Sequence, residues 1–579
     1  MGIVKKLPDN LDEVDVIIAG GGTAGCVVAA RLADADPKLS ILLIEAGQDN
    51  DMPTISFPAM FLTHLLPTST TNTFYVTKPS PEVADRVLVL PSGSVLGGGS
   101  SVNMMAYSRG QRCDWDSWGM PGWSADEMMP FLKKRVDKEF LAAAEKAGWP
   151  EVPDIQDLES INSVGKNKRY ISTEGKRQDA ATCYLRPRLM NSDKYPNLHV
   201  LVESQVVRVL IDSETKRATG VELRTNPRYN PDAAGEPLRV VKARQLVVAS
   251  SGACGTPSLL ERSGLGDPKV LERAGIPAIV ELPGVGNGYE DHHLLAYPYL
   301  NNMEVTDTLD GLVFGRLGSL EDLMKQDHEM LGWNGQQIQD KVRPTDEEVA
   351  ELGPEFQKAW DKEFRDYPEK PLVVFSVVAG FPGDLSLATG DPCIAVTAFT
   401  VYPFSRGHIH VTGPKIDDPV DFETGFFTDE HQLDVKKHIW MYKKQREIIR
   451  RMPMYRGEMA KCHPPFDANS AAACVALDAP LTADAPPIKY TAEDDQVLEK
   501  WIRENVSTTC HSLGTCKMLP REQQGVVDAQ LGVHGVTGLK IADLSVVPKN
   551  VSANTNHEAL AVGERAADIF LRELGLATN

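Results

Sequence analysis

Apolar residues along this 579-residue chain follow two rhythms. Val14-Asp15-Val16-Ile17-Ile18-Ala19 is a short β-branched run that suits a buried parallel strand. Gly20-Gly21-Gly22-Thr23-Ala24-Gly25 ends it, and Cys26 to Leu32 continues with apolar residues at helical spacing. Ile41-Leu42-Leu43-Ile44 then gives a second strand that closes on Glu45. The pattern predicts strand, glycine turn, helix, strand and acid within about 30 residues. Gln245 to Ser250 has the same buried-strand look and runs into a small-residue turn, Ser251 to Pro257.

Elsewhere the rhythm is looser. Residues 194–240 alternate in strand fashion, with turn signals at Asn226-Pro227 and Asn230-Pro231. Residues 341–370, charged and punctuated by proline, predict surface helices and loops. Thr428 to Arg451 predicts a long amphipathic helix that stops before Pro453. Thr491-Ala492-Glu493-Asp494 reads as a capping box opening a helix with Val497, Trp501 and Val506, and Ala559 to Leu574 predicts another helix. Signals of dinucleotide type near both ends and in the middle predict one α/β domain assembled from separated segments, with a second domain threaded through it.

Composition narrows the function. At 42% hydrophobic and 24% charged residues, the chain is globular and not disordered. Sixty basic against eighty acidic residues give a net charge of −20, the wrong sign for nucleic acid or an anionic membrane as partner. The mean hydropathy is −0.24, and no apolar run approaches the roughly 20 residues of a membrane span. Nine scattered cysteines, odd in number and without C-x-x-C spacing, point to reduced thiols and to no metal site. The first residues lack the apolar core of a signal peptide, and the final Leu576-Ala577-Thr578-Asn579 is not a peroxisomal SKL-type address. An intracellular, cytoplasmic protein is the expectation.

Gly20-x-Gly22-x-x-Gly25 places glycines where a turn is tight and a backbone approaches a pyrophosphate, ahead of a helix N-terminus. Glu45 stands twenty residues beyond Gly25, where a carboxylate can accept both ribose hydroxyls of an adenosine. These residues predict a dinucleotide without separating NAD from FAD.

A second cluster, Gly93-Ser94-Val95-Leu96-Gly97-Gly98-Gly99-Ser100-Ser101-Val102-Asn103, separates them. Here the chain resembles the glucose–methanol–choline (GMC) oxidoreductases, FAD enzymes that mostly oxidise alcohols. Tyr107 and Gly110 complete that family's first signature, with Ser94 a departure, and Gly252 to Gly266 matches the second at every position. Leu282-Pro283-Gly284-Val285-Gly286 and Asp291-His292 also look like the family. The resemblance runs from about residue 14 to 575. It implies a Rossmann-like FAD-binding domain (1–135, 195–300 and 505–579) interleaved with a substrate-binding domain on an antiparallel sheet with helices (136–194 and 301–504). Glycines at 97–99 would let backbone lie against a flat ring. The resemblance puts Gly98 and Asn103 beside the flavin, Val206 near the adenine and Asp543 at the ribityl–phosphate region. Thr23, Ala24, Ala46, Gly97, Ser100, Asn554 and Thr555 complete the expected FAD contacts.

Cys510-His511-Ser512-Leu513-Gly514-Thr515-Cys516 resembles the family's active-site histidine motif, and Val551 to Thr555 the segment bearing its partner. The implied pair is His511, removing the alcohol proton, and Asn554, donating to the developing alkoxide. Hydride would pass to flavin N5 and electrons to O₂, giving H₂O₂. His557 is a rival partner, read as a cap or an outward-facing residue, and the run Glu290 to His293 is not read as a metal site.

Within the family the alcohol oxidase branch typified by methanol oxidases fits best. Met104 and Cys510 stand where methanol-type enzymes place aromatic residues, which implies a wider pocket and a primary alcohol bulkier than methanol, aliphatic or aryl. The chain is short between Lys134 and Phe140 and between Cys474 and Tyr490. True deletions there imply a more open entrance and weigh against the branch's octamer, so a homo-oligomer stays open. A quinone-dependent dehydrogenase, a hydroxynitrile lyase with idle flavin and a flavin binder without turnover remain alternatives.

Overall fold

The computed structural model describes residues 2–129, 152, 156–166, 168–482 and 485–577. The expected boundary at 135/136 and the short stretch from Lys134 to Phe140 lie outside them. Two sheets organise the rest. In the first, strand order is Ile3–Val4, Leu198–Leu201, Ile41–Ile44, Glu13–Ala19, Arg239–Ala249, Ala218–Thr225 and Ser204–Ile211. The first five are mutually parallel, and the last two form an antiparallel hairpin. Strand Arg239–Ala249 carries this hairpin on its first half and, on its second, the parallel strand Leu539–Ile541. A parallel sheet buried on both faces needs continuous apolar runs, and Ile41–Ile44 is buried at every position.

Helix Thr23–Ala35 follows the first glycine turn and packs against helix Asn556–Glu573. The contact is close: a Cβ at Gly563 would lie 3.0 Å from the Ala24 Cα. Ser251 to Pro257 proves not to be a turn. Ser251 is a bend, and Gly252–Arg262 is helix with Pro257 inside it.

The second sheet is antiparallel, in the order Tyr455–Glu458, His293–Asn301, Cys393–Thr400, Val373–Ala379, Gln336–Val342 and Ser163–Lys166. Ser507–Thr508 adds to the start of His293–Asn301. The chain therefore crosses between sheets near 289–293 and 508–513. Helix Leu433–Ile449 lies on this sheet and starts later than its pattern predicts. It is not amphipathic either: Asp434, Lys437, His438 and Arg446 are buried with the apolar residues. The polar groups are paired, Lys437 with Asp434 at 2.9 Å and Arg446 with Glu458 at 2.7 Å, which is what permits their burial. Helix Ala492–Asn505 opens on the Thr491–Asp494 capping box. Residues 346–363 form two helices, Asp346–Glu351 and Pro354–Glu363, whose Val349, Phe356 and Trp360 belong to the core and not the surface. Among the described residues, no helix is long and apolar enough to cross a membrane.

Candidate active site

Two glycine turns and the N-terminus of helix Gly252–Arg262 converge where the parallel strands end. Gly20 has φ +118°, and a Cβ there would sit 2.1 Å from the Ser250 oxygen, so two strand ends touch through it. A Cβ at Gly25 would meet the Gly20 carbonyl at 2.2 Å. The 97–100 turn is pinned to this one: Gly97 N–H donates to Gly21 O at 2.7 Å, and Thr23 Oγ1 to Gly97 O at 3.3 Å. Gly98, with φ +54°, lies so close that a Cβ would fall 2.7 Å from the Gly22 Cα. By contrast, a Cβ at Gly99 or Gly252 would meet nothing within 4 Å. Gly22 and Ser251 do not cap their helices with their own side chains, although Asp543 takes the Gly252 amide. Open glycines and the uncapped amides at the start of helix Thr23–Ala35 form a cradle suited to a pyrophosphate and a flat ring, which is what FAD brings.

Glu45 is buried, which pushes its carboxyl up to about 7. Its two oxygens each accept an amide at 2.8 Å, from Gly21 and Gly47, and keep acceptor capacity for a ribose. Ala46 O accepts Asn226 Nδ2 at 2.7 Å, and Val206 is half-buried just before a break in strand register. Asp543 ties the next strand end to helix Gly252–Arg262, accepting Gly252 N–H at 2.9 Å and Thr256 Oγ1 at 2.6 Å. Ser100 Oγ donates to Gly97 O at 2.6 Å. Asn103 accepts from Met105 N–H at 2.9 Å and from Arg177 Nη1 at 3.1 Å. Arg177 also donates to the Ser100 and Asn103 carbonyls, and its burial lowers it to about 10. Arg177, far from the glycine motif in sequence, carried no local signal of this bracing role.

The candidate catalytic histidine lies at the crossings between the sheets. Glu290 pairs across to Leu513, and Gly514, Cys516 and Met518 donate to the carbonyls of Leu544, Ser545 and Val546. Residues 514–518 thus run beside 544–546. Pro257 supplies a further tie: lacking an N–H, it leaves the Ala253 carbonyl for Thr515 Oγ1, at 2.6 Å. Asp291 accepts the His511 N–H at 3.0 Å, the Tyr289 hydroxyl at 3.1 Å and the Thr508 hydroxyl. Burial raises it to about 6.

His511 is nearly buried, and burial followed by the nearby His292 holds its pKa well below the usual value. Its Nδ1 lies 2.9 Å from His292 Nδ1, leaving Nε2 as its other ring nitrogen. Phe399 stacks on His292 at 5.0 Å and meets His511 edge-on at 5.5 Å. Asn554 is placed by Ser108 Oγ, which accepts its backbone N–H at 2.7 Å and its Nδ2 at 3.2 Å. Thr555 is buried at the start of helix Asn556–Glu573 without capping it by its side chain.

His557 faces inward, contrary to the expectation of a cap or an outward residue. It is buried, bonds Tyr170 OH through Nδ1 at 2.9 Å and packs on Tyr107 at 4.8 Å. Both tyrosines sit where this helix meets the 106–110 and 168–170 segments, which periodicity cannot reveal. Met104 packs at the edge of an apolar cluster of Phe61, Met105, Leu309 and Met330. Cys510 is exposed and holds φ +60°, a strained conformation directly before His511. All nine cysteines are free.

Comparison with known proteins agrees with this geometry. GMC oxidoreductase family models match residues 14–294 and 403–563. The alcohol oxidase of Candida boidinii is 34% identical, over 97% of this chain and 96% of its own. Alcohol oxidase 1 of Komagataella phaffii is 33% identical over the same shares. An FAD-dependent oxidoreductase from Chaetomium thermophilum superposes with TM-score 0.78 at 24% identity, covering 97% of this chain and all of that one. The chain belongs to the GMC oxidoreductase family.

Proposed function

We propose that this protein is an FAD-dependent alcohol oxidase acting on a primary alcohol bulkier than methanol, with O₂ as electron acceptor. The observation that carries the reading is His511, neutral and with Nδ1 engaged, beside the Asn554 segment and the open glycine cradle. Gly20, Gly22, Gly25, Gly98 and Glu45 would hold the cofactor, through backbone amides and one carboxylate. Bound FAD supplies the redox chemistry, accepting hydride from the alcohol carbon and reducing O₂ to H₂O₂. His511 Nε2 takes the hydroxyl proton, which lets the carbonyl form. One Asn554 N–H is committed to Ser108, and the other is available to the developing alkoxide. The imidazolium that results would favour the build-up of negative charge as O₂ is reduced. The apolar cluster beside Met104 favours a neutral, apolar alcohol.

Anaerobic mixing with a panel of alcohols tests this. Flavin bleaching by hexanol or benzyl alcohol, with peroxide on admitting air, is expected. Bleaching by no alcohol overturns the oxidation, and bleaching without peroxide overturns the oxidase. Higher kcat/KM for methanol than for hexanol or benzyl alcohol overturns the substrate class.

A further inference from the structure

We infer that His292 is a positioning residue for the reaction: its Nδ1 accepts the Nδ1–H of His511 and keeps His511 in the tautomer with a bare Nε2. The inference rests on His511 being the base. Two imidazole nitrogens 2.9 Å apart share one proton, and there are two ways to place it. With the proton on His292 Nδ1, a neutral His511 carries its own hydrogen on Nε2 and has nothing with which to accept from an alcohol. With the proton on His511 Nδ1, Nε2 is free to accept.

The second arrangement is the one that lets His511 act as the base. The Asn550 side chain and the Val551 backbone stand beside the His292 ring in the sense that favours a proton on it. With Nδ1 committed to His511, the nitrogen left for that proton is Nε2, which is buried and makes no hydrogen bond of its own. A second proton on His292 is opposed by burial, which draws its pKa down to about 4. The ring is also locked in place: it lies flat on Phe399 at 16° and edge-on to His511 at 88°. The Asp291 carboxylate fixes the backbone of the same pair by accepting the His511 N–H. Adjacent residues thus divide the work, Asp291 holding the His511 main chain and His292 its ring. Asn550 and Val551 lie just before Asn554, so His292 joins the segments that carry both candidate catalytic groups.

The titratable groups around the pair are Glu290, Asp291 and His293. Glu290 is neutralised by Lys517 at 2.6 Å and Arg406 at 3.2 Å, and Asp291 is engaged by Thr508, Tyr289 and the His511 N–H. His293 turns away into Phe426, at 4.1 Å, and stacks with His438 at 6.0 Å.

The test measures anaerobic flavin reduction by a good alcohol across pH in holoenzyme variants, with FAD content checked for each. His292→Leu removes the acceptor and is expected to slow reduction about 100-fold, with alcohol KM changed far less. His292→Asn offers a carbonyl oxygen near the Nδ1 position and is expected to recover to within about fivefold of the parent, while His292→Gln, whose polar atoms reach the Nε2 position, stays slow. This Asn–Gln contrast decides the matter even if the Leu variant fails to fold. Nitrogen-15 NMR of histidine-labelled holoenzyme, with the His511 signals identified by their loss in His511→Ala, should show a protonated Nδ1 and a bare Nε2. Parent-like rates and pH profile in His292→Leu, equal rates in the Asn and Gln variants, or a protonated Nε2 would each overturn the proposal. His511→Ala separates the two levels of the argument. A fast His511→Ala removes the base assignment itself, whereas a slow His511→Ala with a fast His292→Leu removes only the role of His292.

Discussion

At the glycine turns, main chain meets main chain: Gly97 N–H on Gly21 O, Gly20 against Ser250, Gly98 against Gly22. At His511 the contacts are made largely by side chains, from His292, Phe399 and Asp291, with Tyr289 bonded to Asp291 and Ser108 holding Asn554. The first region works by what is missing, since each absent Cβ is room for a backbone or a cofactor. The second works by what is present, and its parts come from both sheets. A single substitution should therefore act differently in the two places: at the turns it removes the cofactor, and at the reacting centre it changes rate or selectivity with the cofactor still bound.

Three experiments press on that contrast. Gly98→Val drives a Cβ to 2.7 Å from the Gly22 Cα at a backbone angle that branched residues avoid, and is expected to abolish FAD retention, read as flavin absorbance per chain. Retained flavin would show that the turn yields, and would weaken the contrast.

Glu45→Gln gives a smaller and pH-dependent effect. The carboxyl is raised from 4.5 to about 7 by burial, so the folded apoprotein binds this proton more tightly than the unfolded chain. Its contribution to stability is therefore greatest at low pH and declines as pH rises from about 4.5 through 7. The apoprotein's thermal midpoint, followed across that range, should fall less steeply in Glu45→Gln than in the parent. An unchanged slope would show that the buried carboxylate is compensated elsewhere.

Met104→Phe is expected to do least. FAD content should stay at the parent level, while the hexanol-to-methanol ratio of kcat/KM falls about tenfold as the pocket narrows. An unchanged ratio would place Met104 outside the substrate's path.

The same contrast explains how much the sequence disclosed. Gly20, Gly22, Gly25, Glu45 and the 97–99 run were legible because a backbone-built cradle demands glycine at short, fixed spacing. The strands at 14–19 and 41–44 were legible because burial on both faces leaves an unbroken apolar run. His511 and Asn554 were legible only through their motifs, since a lone histidine or asparagine carries no periodicity. His292, Ser108, Phe399 and Arg177 were not, because each acts across a gap in sequence that only the crossing of two sheets closes. His557 misled for a related reason: helical position alone does not say that Tyr107 and Tyr170 lie over it. Thr428 to Arg451 misled because its buried charges read as surface until their partners, such as Glu458, are seen.

The contact between Gly563 and Ala24 also bears on how the protein is made. The helix after the glycine turn leaves the ribosome early, yet the helix that covers it is synthesised more than five hundred residues later. At about 5–20 residues per second, that interval lasts roughly 30 to 100 seconds. During it the nascent helix must keep Val27, which lies against Gly563, from other partners. The strand Leu539–Ile541 arrives late as well, so the first signal in the chain is also the last site to be completed.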